Sequence, residues 1–180
     1  MTSIELEHSI GHSAKIARSV FLHPNGKDIV YIAGGCVVIC NLKDQHEQVY
    51  LREHDDNITC LAVSNKGHLL ASGQKGNNAD VIIWDFEKKQ AIFKLSEHDY
   101  EGIAFKTVSL VSFSHDDVLL FSCGNSMDKK IFIWDTSNGY IVAKHNILPD
   151  PLCCMRWGGF VKDIKGRNTD KYQFATAGNK

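Results

Sequence analysis

Residues 79–86 read ADVIIWDF and return at residues 129–136 as KKIFIWDT, which places Trp84 and Trp134 fifty residues apart. Upstream of each lies a second matching block: CLAVSNKGHLLASG at 60–73 aligns with SLVSFSHDDVLLFSCG at 109–124. Both blocks run apolar, polar turn, apolar, then Ser and Gly. Further upstream, His54-Asp55 corresponds to His98-Asp99. Features that recur in one order at a fixed period define a repeat architecture. Each unit then buries its apolar face only by stacking on its neighbours.

The first repeat is degenerate. Gly11-His12 opens it, SVFLHPNGKDIVYIA (19–33) reads as two strands around Pro24-Asn25-Gly26, and CVVICN (36–41) as a third. Gly34-Gly35 suits a two-residue hairpin, whose central positions favour positive φ. Cys40 stands where the later repeats carry tryptophan. A fourth repeat opens with LCCMRW (152–157), resumes at YQFATAG (172–178) and stops before a third strand. The repeats fall near 11–50, 54–95, 98–148 and 150–180.

Each repeat alternates short β-branched and aromatic runs with turn residues, and no segment carries a sustained helical period with caps. The fold class is all-β. Four-stranded sheets repeated about an axis make a β-propeller, and residues 1–180 are read as a partial one of about three and a half blades. An incomplete ring leaves strand edges unpaired. The expectation is that the rest of the ring comes from a longer version of the same chain or from another chain.

Lys and Arg number 20 against 21 Asp and Glu, a formal charge of −1. Such a chain has no overall electrostatic footprint for nucleic acid or anionic lipid. No run of 18 apolar residues suggests a spanning helix, and MTSIELEHSI lacks the layout of a signal peptide. The six cysteines are therefore expected to stay reduced. The sequon at Asn57 is read as accidental.

These motifs resemble the WD-repeat family: Gly-His or His-Asp at the start, Ser-Gly closing the second strand, Trp-Asp closing the third. The resemblance implies a hydrogen-bonded tetrad of His, Ser, Asp and Trp within a blade. The third repeat supplies it as His98, Ser122, Asp128 and Trp134. The second supplies His54, Ser72 and Trp84, with Asn78 in the Asp position. The first offers only His12. IELEHSIGH, FLHPNGKDIVYIAGGCVVICNL and HDDNITCLAVSNKGHLLASGQ further resemble the opening of cilia- and flagella-associated WD-repeat proteins of doublet microtubules. The EMAP-like microtubule proteins are relatives in that resemblance. It implies a non-enzymatic scaffold in the cytoskeleton of the axoneme, touching tubulin and neighbouring proteins.

A Ser-His-Asp set also invites a hydrolase reading. A nucleophilic serine needs exposure beside an oxyanion hole, commonly on a strand-to-helix turn. Ser122 lies inside the apolar run LLFSCG, and GNSMD lacks both the last glycine of a nucleophile elbow and a following helix. Cys36 and Cys40, or the adjacent Cys153 and Cys154, do not form a metal motif. GQKGNN (73–78) has no G-K-[ST] and is read as the turn between second and third strands. No cofactor is implied.

Two irregular stretches remain. His98 to Ser114 is sixteen residues against ten from His54 to Ser64, so DYEGIAFKTV holds an insertion of about six. GGFVKDIKGRNTDK (158–171) is read as a long loop in the fourth repeat. Loops on rigid scaffolds often bind, so Phe160, Lys162, Ile164, Lys165 and Arg167 are the candidate partner contacts. The function expected is a protein-interaction scaffold of the axoneme. The alternative is a WD adaptor in another cytoplasmic complex, such as a ubiquitin-ligase receptor or a trafficking coat.

Overall fold

A computed structural model describes residues 9, 11, 16–77, 79–98, 106–126, 128–146 and 152–178. These form strands and turns in four antiparallel blades. The first blade is β1 (Val20–Leu22), β2 (Asp28–Ala33), β3 (Cys36–Asn41) and β4 (Gln48–Leu51), paired in chain order. The second is β5 (Ile58–Val63), β6 (Leu69–Gly76), β7 (Val81–Asp85) and β8 (Gln90–Leu95). The third is β9 (Lys106–Phe113), β10 (Leu119–Gly124), β11 (Lys130–Asp135) and β12 (Ile141–Asn146). The fourth holds two long strands, β13 (Leu152–Lys162) and β14 (Asn168–Gly178). Three four-stranded blades and one two-stranded blade make an incomplete propeller. No described helix is long and apolar enough to cross a membrane.

Register carries the repeat into three dimensions. Leu70 faces Trp84 across β6 and β7, Leu120 faces Trp134 across β10 and β11, and Ile29 faces Cys40 across β2 and β3. Cys40 thus occupies the strand position of the two tryptophans. Even the irregularities repeat, since the register shifts between Ile83 and Trp84 and again between Ile133 and Trp134.

Burial explains why the middle strands carry apolar residues on both faces instead of alternating apolar and polar. On β7, Ile82 and Trp84 join Val30, Ile32, Val37 and Ile39 of the first blade, whereas Val81 and Ile83 join Leu120, Phe132 and Trp134 of the third. On β11, Phe132 and Trp134 face the second blade, while Ile131 and Ile133 face Met155 and Trp157 of the fourth. Successive strand residues point to opposite faces, and here both faces are covered. The outer strand β12 is exposed along its whole length.

The turn after each blade's first strand is built alike. Gly26, Gly67 and Asp117 hold the same position with φ of 68°, 79° and 66°. Gly67 is required twice over, because a Cβ there would lie 2.8 Å from His23 Nε2 of the neighbouring blade. Asp117 is a non-glycine residue in the left-handed region, which normally costs about 1–2 kcal/mol. Its carboxylate offsets that by accepting from Asn65 N at 2.7 Å, Asn65 Nδ2 at 2.8 Å and Lys66 N at 2.8 Å across the blade boundary.

The structure corrects several local expectations. GQKGNN is not a turn from its first residue: β6 continues to Gly76 because Lys75 and Gly76 find partners in Thr107 and Lys106 of β9. Only Gly34 of the Gly34-Gly35 pair takes positive φ, at 62°. Residues 158–171 are mostly strand, with Phe160 paired to Tyr172 and Lys162 to Asn168, leaving a short turn around Gly166 (φ 76°). Aromatic packing rewards that extension, so the segment is an arm and not a loop. The insertion falls largely on residues 99–105, and with His12 and Asn78 it lies outside the described residues.

Candidate functional site

The third blade brings His98, Ser122, Asp128 and Trp134 together. Ser122 lies on β10, Trp134 on β11, Asp128 in the turn between them and His98 in the connection before β9. His98 Nδ1 lies 2.5 Å from Asp128 Oδ2, and His98 Nε2 lies 2.8 Å from Ser122 Oγ. Trp134 Nε1 donates to the same Oγ at 2.8 Å. The carboxylate can only accept, so Nδ1 carries the proton and donates. Nε2 is left facing the Ser122 hydroxyl, from which it accepts. Polarity runs one way, from indole through hydroxyl and imidazole to carboxylate.

Glycine makes this approach possible. A Cβ on Gly124 would lie 1.9 Å from Asp128 Oδ2, so no other residue fits beneath the acid. The edge of His98 also meets Phe132, with ring centroids 4.7 Å apart. Lys130 Nζ stands 3.9 Å from the second carboxylate oxygen. His98 and Ser122 are fully buried, and Trp134 and Asp128 nearly so.

The second blade wires the same chain differently. Trp84 Nε1 donates to Ser72 Oγ at 2.8 Å, and Ser72 Oγ lies 2.7 Å from His54 Nε2. His54 Nδ1 then donates to Gln74 Oε1 at 2.6 Å. Gln74 Nε2 in turn donates to Asp55 Oδ1. An amide stands where the third blade has a carboxylate, and it passes the polarity on to an acid one residue beyond the histidine. Burial pushes the His54 pKa below the usual histidine value, opposed by the Gln74 hydrogen bond. Reading by sequence missed Gln74. The available signal was its spacing: two residues after Ser72 on one strand, it shares that side chain's face.

Beside this chain Asp80 is buried and paired with Lys94 Nζ at 2.9 Å. In the first blade Cys40 is buried in the tryptophan position, its Sγ 3.6 Å from Asn41 O. Burial pushes that thiol up from its ordinary value. A thiol has no indole N–H at indole reach, so Cys40 cannot copy the other blades.

The serines are poorly placed for attack. Ser122 and Ser72 have no solvent exposure, and each oxygen already accepts an indole proton while facing its histidine. The arrangement ties strands together. Among the described residues no group of three His, Cys, Asp or Glu is placed to hold a metal ion.

The candidate contact residues sit on the β13–β14 arm. Phe160 is only half-buried and packs its ring edge-on to His115 at 4.5 Å and against Tyr172 at 4.9 Å. Tyr172 anchors the arm to the third blade by donating its hydroxyl to Asp116 Oδ2 at 2.7 Å. Burial first, then this acid, push the Tyr172 pKa up to about 12. Ile164, Lys165 and Arg167 lie exposed at the tip, with Arg167 folded back on Asp163 at 3.0 Å, and Lys162 is exposed where β13 ends.

The WD domain, G-beta repeat family profile matches residues 45–85 and 90–135, the stretch that holds both tetrad tryptophans. Cilia- and flagella-associated protein 52 of Chlamydomonas reinhardtii is 33% identical over 177 residues, covering 97% of this chain and 26% of the relative. The human protein of that name is 29% identical over 182 residues, 99% of this chain and 27% of the relative. WD repeat-containing protein 62 of Sus scrofa is 31% identical over 101 residues, 56% of this chain and 6% of that protein. The chain thus spans about a quarter of the length of the ciliary relatives. Its repeats, blade register and buried His–Ser–Trp chains agree with these matches: this is a WD-repeat protein, similar over nearly its whole length to cilia- and flagella-associated protein 52.

Proposed function

We propose that this chain is a structural interaction module of the ciliary or flagellar axoneme, set against doublet microtubules and neighbouring proteins. The observation that carries this reading is the similarity to cilia- and flagella-associated protein 52 along 97–99% of the chain. The physical arrangement supports it. Its conspicuous polar side chains are consumed inside the blades, which leaves turns, perimeter strands and the β13–β14 arm for contact with other molecules. Tyr140 just before the outer strand β12, Val142 on it and Ile164 at the arm tip are exposed to solvent.

Near-neutral charge argues for a shape-matched site over simple attraction to an acidic filament. Such attachment resists salt, because screening weakens exposed charge pairs first. The test is to express the tagged full-length protein in a ciliated cell, extract with detergent and wash the axonemes at high salt. Retention on the doublets is expected. Complete release into the detergent-soluble fraction would remove the axonemal reading and leave the general adaptor.

A further inference from the structure

The first strands of the four blades pack side by side, β1 on β5, β5 on β9 and β9 on β13. At the end carrying the turns that follow these strands lies a groove of about 300 Å3. His54 and His98 lie at the other end, in the connections that enter β5 and β9. Phe21, Phe113 and Trp157, all buried or half-buried, supply the apolar part of the groove. Exposed Arg18, His115 and Arg156 supply its polar part.

Charge at this site departs from that of the chain. The whole sequence carries −1, yet no described residue lining the groove is acidic. The nearby acids are engaged elsewhere: Asp116 accepts from Ser114 Oγ and Tyr172, and Asp117 from Asn65 and Lys66. Among the described residues neither the Arg18 nor the Arg156 guanidinium has a hydrogen-bond or ion-pair partner, Arg156 being paired with Ala175 through its backbone alone. A guanidinium presents a planar fork matched to a carboxylate, and two of them flank an apolar patch here.

We propose that this groove docks an extended acidic peptide segment of a partner protein. Its carboxylates engage Arg18 and Arg156, and an apolar side chain between them rests on Phe113 and Trp157. The volume takes a few side chains and not a folded domain. Two cations on a neutral chain neutralise too few phosphates to favour nucleic acid instead. The proposal rests on the interaction-module part of the functional reading and not on its axonemal part.

The experiment titrates the full-length protein into a fluorescein-labelled peptide of glutamates around a single leucine, read by anisotropy. A lysine peptide of the same length and a thymidine oligonucleotide serve as competing probes. The glutamate peptide is expected to bind about tenfold or more tightly than either, and to weaken several-fold as salt rises. R18Q with R156Q should weaken it by about tenfold, and R18K with R156K by less, since charge remains while the fork is lost. K27Q with K43Q, exposed and away from the groove, should change it less than about twofold. Unchanged affinity in R18Q/R156Q, or tighter binding of the oligonucleotide, would overturn the proposal. Loss of axonemal retention in the wash experiment leaves this result untouched, so the two readings fail separately.

Discussion

His54 Nδ1 meets the amide oxygen of Gln74 at 2.6 Å, in the place where His98 of the next blade meets the carboxylate of Asp128 at 2.5 Å. Two blades with one architecture therefore end the same chain of donors on different chemistry. A charged acceptor makes the stronger bond, and its loss strands a buried donor.

Asp128→Ala is expected to lower stability by about 1–3 kcal/mol, because His98 Nδ1–H keeps its burial and loses its acceptor. Asn78→Ala should cost less, because Gln74 serves His54. Denaturant titrations of the two variants give the order. Equal losses, or none at Asp128, would contradict it.

His54 gives the second blade a pH dependence. Its folded pKa lies below the usual histidine value because burial penalises the imidazolium. The unfolded chain therefore binds the proton more readily. The contribution is fully present above the unfolded value of about 6.5 and is lost as pH falls through it toward the folded pKa. The denaturation midpoint should drop between about pH 7.5 and pH 5 more steeply in the native sequence than in His54→Gln. Parallel pH profiles would show that His54 does not titrate in this way.

Asp117 links the second and third blades through three hydrogen bonds from Asn65 and Lys66. Asp117→Ala loses all three and leaves a β-carbon at φ 66°, so a loss of about 2–4 kcal/mol is expected. Asp117→Gly relieves the backbone and still loses the bonds, and should fall between Ala and the native residue. Thermal unfolding of the pair separates the two causes.

Burial divides the thiols. Cys60 and Cys123 have pKa values pushed up to about 12, chiefly by desolvation, while Cys153 is exposed. A thiol reagent at neutral pH should label Cys153 quickly, and Cys60 and Cys123 only on unfolding, because the thiolate is the reactive form. Mass mapping of the labelled peptides reads this directly. Fast labelling of Cys60 in the folded chain would place it outside the core.

The sequence by itself determined the repeat, the all-β class and the strand positions of the Trp-Asp ends. Those properties are local: turn residues, β-branched runs and a period of fifty are written in the order of residues such as Trp84 and Trp134. The resemblance of these repeats to the WD family also implied His98, Ser122, Asp128 and Trp134 as a set, and the structure places them within hydrogen-bond distance of one another. Tertiary structure decided the rest. Gln74 became the partner of His54 only through the approach of a connection to a strand twenty residues away. Residues 158–171 became a strand arm because Phe160 and Tyr172 could pack on His115, which lies on another blade. Asp117 tolerates its backbone because Asn65 of the neighbouring blade supplies the donors. Arg18 and Arg156 lie far apart in the chain, and only the stacking of first strands puts them on one groove. Neighbours in sequence set what each blade is; neighbours across blades, brought together by burial of apolar faces, set what it touches.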